Sequence, residues 1–153
     1  MSRGLSPVVG TVLLVIVAVG LAGIAGAVAF GSDTAESTPR VHFTISAEAD
    51  GDRITITHDG GDTVSTEELT FRIEVDGQPL AQQPPIPFFA AEGFASGPTG
   101  PFNPAADPTW TAGESASVAL ASTNAPLLDP GATVSVTIST NQGTVAQLET
   151  NAA

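Results

Sequence analysis

The residues whose types could do chemistry are few: two histidines, His42 and His58, and the carboxylates spread around them. Zinc would need three or four Cys, His or carboxylate ligands at short spacing, and no such spacing surrounds either histidine. His42 falls on the polar face of a predicted strand and reads as solvated. Asp50, Asp52, Asp59 and Asp62 bracket one hairpin and could in principle gather on calcium, but the twelve-residue loop pattern fails for want of its last glutamate. Turn chemistry explains these acids better. There is no glycine-rich phosphate loop, nucleophile elbow or supported acid and base pair, so the serines lack partners. The sequence therefore predicts no enzyme, no cofactor and no metal site. Trp110 in "PTWTAGE" reads as a core residue, although on an exposed loop it would suit ligand contact. The Asn-x-Ser/Thr pattern is absent at Asn103, Asn124, Asn141 and Asn151.

Charge narrows the partners. Sixteen acids face four arginines and no lysine, a formal charge of −12 that a phosphate backbone would repel, so nucleic acid is excluded. A lysine-free acidic surface suits concentrated salt, where screening removes most of the self-repulsion, and points to a halophilic source. An acidic extracellular protein from an ordinary organism is the other reading. Without cysteine there is no disulfide, thiolate metal site or lipid-bearing cysteine, so any folded part rests on its apolar core.

The elements that must position these residues divide the chain in two. After a small polar joint at 32–39, "SDTAESTP" with Arg40 following, the hydrophobic period becomes two. "VHFTISAE" sets Val41, Phe43, Ile45 and Ala47 on one face, "ADGD" turns the chain into "RITITH", and "HDGGD" predicts a further turn. "ELTFRIEV" then puts Leu69, Phe71, Ile73 and Val75 on one face. Alternation breaks across a Pro/Gly-rich insertion at 79–108 that holds Phe88, Phe89, Phe94 and Phe102, and such an insertion is either functional or partly disordered. It resumes at "SVAL", at Val134, Val136 and Ile138, and at 145–148. Six or seven short strands over 40–153 predict an immunoglobulin-like β-sandwich head. With the helix below, the fold class is α+β.

That helix is the opening stretch, which carries no charge between Arg3 and Asp33. Residues 8–30 as a helix reach about 35 Å, enough for a hydrocarbon core of about 30 Å. Pro7 suits the first turn, Gly31 the stop, and Arg3 ahead of the span favours a cytoplasmic amino terminus. Three uses compete: a permanent anchor, a secretory signal in which Ala27 and Ala29 of "AVAF" precede the cut, and a helix used after export. Small residues recur four apart at Ala18, Ala22 and Gly26, and at Ala25 and Ala29, where neighbouring helix backbones can approach closely.

The run "RGLSPVVG" ahead of a long uncharged helix resembles the amino terminus of archaeal type IV pilins, particularly haloarchaeal ones, over about residues 3–31. The resemblance implies that a prepilin peptidase removes residues 1–4 and leaves 5–31 as an assembly helix. Arg3, Gly4, Leu5, Ser6 and Pro7 would form the processing site. Bacterial type IV pilins carry glutamate at the fifth mature position, where this chain has Val9, as in the haloarchaeal pattern. The implied function is a structural subunit of a pilus-like surface filament, helices in its core and acidic heads exposed, for surface adhesion. Its partners would be other pilin subunits, the prepilin peptidase and assembly machinery, and the cytoplasmic membrane before assembly. The alternative is a single-pass membrane-anchored extracellular binding module that does not polymerise and uses the head, especially 79–108, to capture a partner.

Overall fold

The computed structural model describes residues 6–30 and 37–153. The chain forms two compact units that divide between Ser37 and Thr38. In the first, α1 runs Ser6–Phe30. Pro7 sits in its first turn, where a missing N–H costs nothing. The Thr11 hydroxyl donates to the Pro7 carbonyl at 2.8 Å, so this polar side chain is satisfied within the helix.

The second unit is antiparallel β. Its strands are β1 (Val41–Glu48), β2 (Arg53–Gly61), β3 (Val64–Ser65), β4 (Thr70–Val75), β5 (Gln78–Pro79), β6 (Thr109–Trp110), β7 (Ser115–Ala119), β8 (Thr133–Thr140) and β9 (Gly143–Asn151). They form a three-stranded sheet β1-β2-β7, a four-stranded sheet β5-β4-β8-β9 and a short β3-β6 ribbon. Seven strands in two main sheets thus carry the head, and the two-residue strands, β5 and those of the ribbon, are the ones that alternation could not reveal. The orders are compatible with an immunoglobulin-like arrangement, in which the first, second and fifth strands share one sheet and the third, sixth and seventh the other.

Period-two patterning fixes which side chains meet. Phe43 and Ala47, Ile54 and Ile56, Ala116 and Val118 line the inner face of the first sheet. Phe71, Ile73 and Val75 on β4, paired with Ile138, Val136 and Val134 on β8, line the second. All are buried in one core, which is the aligned two-layer solution for sheets with one apolar face each. The layers also join at one edge. Ala49 N donates to Ala153 O at 3.0 Å and Ala153 N to Ala47 O at 2.9 Å, so the ends of β1 and β9 pair in parallel.

One expectation changes, and one of two open readings is decided. "HDGG" is not a turn: β2 continues through it to Gly61, which pairs with Val41 across a bulge between His42 and Phe43. Gly61 adopts φ +95°, and a Cβ there would run into the Arg40 carbonyl oxygen, so the glycine serves a close strand approach. The proline-rich insertion is packed. Phe88, Phe94 and Phe102 are buried, and Ala95 N to Ala119 O and Thr99 N to Ser117 O bonds seat it against the free edge of β7. It thereby covers an edge that would otherwise expose unpaired backbone groups.

Candidate functional site

The helix is the first candidate. Its large apolar side chains from Val8 to Ile24 are exposed, from 52% at Val12 to 71% at Leu14, and they lie on every side, so α1 has no polar face. A helix apolar all round is stable only where apolar surroundings cover it all round, in a bilayer or among other helices. At 25 residues it is about 37 Å long, sufficient to span a bilayer core. Ala18 and Ala22 are exposed and one turn apart. The side chains of Ala25, Gly26 and Ala29 lie outside the described residues, as do Arg3, Gly4 and Leu5 and the Ser6 side chain, while Pro7 opens the helix and is exposed.

The titratable residues of the head do not converge. His42 is exposed on the outer side of β1. His58 is fully buried: its Nε2–H donates to the Asp62 carbonyl at 2.8 Å, and the ring lies 5.3 Å from Phe43 and 6.3 Å from Trp110. Nδ1 has no hydrogen-bond partner among the described residues. His58 follows Ile54 and Ile56 at period two, the signal that placed it inside. Trp110 is a core residue, its Nε1–H donating to the Glu114 carbonyl at 3.0 Å and its ring 4.8 Å from Phe43 and 5.2 Å from Phe102.

Two of the four aspartates serve the backbone. Asp52 Oδ1 accepts from Leu128 N at 2.8 Å and Asp62 Oδ2 from Arg40 N at 3.0 Å, while Asp50 and Asp59 are exposed. Asp52 directly precedes β2 and Asp59 lies within it, about 24 Å away at strand rise, too far to share a cation. Among the described residues no three His, Cys, Asp or Glu side chains gather. Asp107 accepts from Thr109 N at 2.9 Å, and hydrogen bonding from Thr109 holds its carboxyl below the ordinary value.

Two surface features escaped the sequence. One is a groove of about 600 Å³ between the starts of β1 and β9, lined by Pro39, Val41, His42 and Val145 among others. The other is Phe89, 62% exposed on the ordered insertion. Both depend on how distant segments come together, and no local pattern marks them.

Residues 3–43 match the family described as archaeal type IV pilin, N-terminal. No curated protein sequence matches the chain. Among solved structures it resembles the archaeal flagellum of Methanospirillum hungatei strain JF1, at 14% identity and TM-score 0.54, over 100% of this chain and 94% of that one. It also resembles the archaellum periplasmic stator protein FlaG from Sulfolobus acidocaldarius, at 12% identity and TM-score 0.45, over 72% and 97%. The amino-terminal segment thus matches the archaeal type IV pilin amino-terminal family, and the fold of the chain is shared with that filament structure.

Proposed function

Starting from an amino-terminal segment of the archaeal type IV pilin family, we propose that this chain is a structural subunit of a surface filament. The observation that carries the reading is α1, a 25-residue helix with no polar face. In the precursor the cytoplasmic membrane covers that helix; in the filament, α1 helices of neighbouring subunits do. A prepilin peptidase removes residues 1–4, the assembly machinery extracts the mature subunit, and the head faces outward for surface adhesion. Arg3 holds the leader at the cytoplasmic surface, Gly4 admits the peptidase to the backbone, and Pro7 sets the helix start just beyond Leu5 and Ser6.

Ala18, Ala22, Ala25, Gly26 and Ala29 supply the close-packing face. Lipid accepts a larger apolar side chain there, whereas a closely approached helix does not. Ala22→Leu combined with Gly26→Leu should leave expression, leader removal and membrane residence intact and abolish filaments. Normal filaments from the double variant would remove the packing argument. A wild-type protein found solely as a membrane monomer would favour the anchored binding module.

A further inference from the structure

Phe89 lies in an exposed knob, residues 89–92, held between buried Phe88 and buried Gly93. The knob is fixed at both ends: Phe88 N donates to Phe102 O at 2.9 Å, Gly97 N to Phe89 O at 2.7 Å, and Phe94 N to Ala91 O at 3.2 Å. An aromatic ring displayed on so constrained a backbone loses little entropy when it is covered. Phe89 is also the most exposed large apolar side chain of the head among the described residues, with Leu127 next at 36%. Glu92 projects from the same knob.

The groove has a definite cause. β1 and β9 pair in parallel at their far ends, through Ala47, Ala49 and Ala153, and separate toward their starts, where bulges at His42/Phe43 and Ile138/Ser139 bend the two sheets. The space left is bounded by the apolar side chains of Pro39, Val41 and Val145, beside exposed Arg40 and His42. The Arg40 side chain is exposed there and is not in the one ion pair found among the described residues, Arg72–Glu74, although the Asp62 carboxylate accepts from the Arg40 backbone N–H at 3.0 Å.

Knob and groove lie at opposite ends of one sheet. The order runs groove edge, β1, β2, β7, then insertion residues 95–99 bonded to β7, with Phe89 bonded beyond them at Gly97. At about 4.8 Å per strand the separation is roughly 20 Å, so they cannot meet within one copy. A contact between unlike surfaces of two copies is heterologous, and repeated it gives a ring or an open helical polymer.

From this arrangement we infer that the heads contact one another in the filament, Phe89 of one copy entering the β1/β9 groove of the next with Glu92 against Arg40. The inference rests on the filament reading and adds the head-to-head contact to it. The apolar ring matches the Pro39, Val41 and Val145 surface, and the Glu92 carboxylate matches the exposed Arg40 guanidinium beside it. The contact is small, but repetition along a polymer already tethered by its helices multiplies a weak interaction.

The chain has no cysteine, so thiols can be placed at will. Full-length chain carrying Ala90→Cys and Thr144→Cys, both at exposed positions, should assemble and then give a ladder of covalent oligomers with a short bifunctional thiol reagent; each single variant should give no species beyond a dimer. Filaments of the double variant that yield no ladder, or dimers alone, overturn the head contact and leave the filament reading standing. Absence of filaments even from wild type overturns both. As a second measurement, Arg40→Glu should lower the yield of filaments surviving shear severalfold, and adding Glu92→Arg should restore it. Failure of the swap to restore the yield, with leader removal normal in both variants, overturns the pairing of those two residues.

Discussion

Asn124 shows how a proline-rich insertion with little regular secondary structure is held, and its removal has a calculable effect. The side chain is 3% exposed and fully engaged. Oδ1 accepts from Gln82 N at 3.1 Å and Ala125 N at 3.0 Å, and Nδ2 donates to Gln82 O and Gly93 O, both at 3.1 Å. Gly93 O also receives Ala121 N at 2.9 Å, so Asn124→Ala orphans three backbone groups: Gln82 N, Gln82 O and Ala125 N. Four bonds at about 1 kcal/mol each set a loss near 4 kcal/mol, and water reaching half-buried Gln82 reduces it to about 3 kcal/mol. Asn124→Asp should cost more at neutral pH, since it turns a carboxylate oxygen toward two carbonyls. The single tryptophan, Trp110, is fully buried and reports unfolding by fluorescence, so denaturant titration of the 38–153 unit measures the loss directly. A loss under about 1 kcal/mol for Asn124→Ala, with an unchanged slope, would refute the view that side-chain amides hold the insertion.

Other outcomes follow from the same structure. Gly61→Ala should destabilise the head by about 2 kcal/mol or more, because it forces an L residue into a left-handed conformation against the Arg40 carbonyl; an unchanged Tm would contradict this. Mass spectrometry of the exported protein should find Leu5 at its amino terminus, whereas a terminus near Phe30 would establish a secretory signal. The 38–153 unit should fold alone, with a Tm that climbs as salt screens its acidic surface; circular dichroism showing mainly helix, or a Tm indifferent to salt, would rule that out.

Where order came from local periodicity, the sequence was readable. "VHFTISAE" is β1 from end to end, and the alternation at 69, 71, 73 and 75 names buried side chains around and along β4. It failed at "HDGGD" because Asp and Gly favour turns, whereas here Gly61 lets β2 pass the Arg40 carbonyl and a bulge absorbs the register. In 79–108 the order has no period to read. Gln83 imitates a strand neighbour by binding both Ile73 N, at 2.7 Å, and Ile73 O, at 2.9 Å, and Thr66 Oγ1 donates to Pro101 O at 2.9 Å. Asn124 reaches Gln82 across 42 residues. The same limit applies to the surface: Phe88 and Phe89 are identical neighbours in sequence, and only the fold decides that one is buried and the other displayed. The helix, by contrast, was legible because composition alone, without periodicity, specifies an element with no polar side.

Electron cryomicroscopy of filaments sheared from cells that express the chain decides whether it polymerises. Subunits in the filament should show a central bundle of helices that begins at Leu5, without residues 1–4, and β heads around the outside. Filaments that lack this chain, with all of it recovered as monomer in the membrane fraction, would contradict the filament reading.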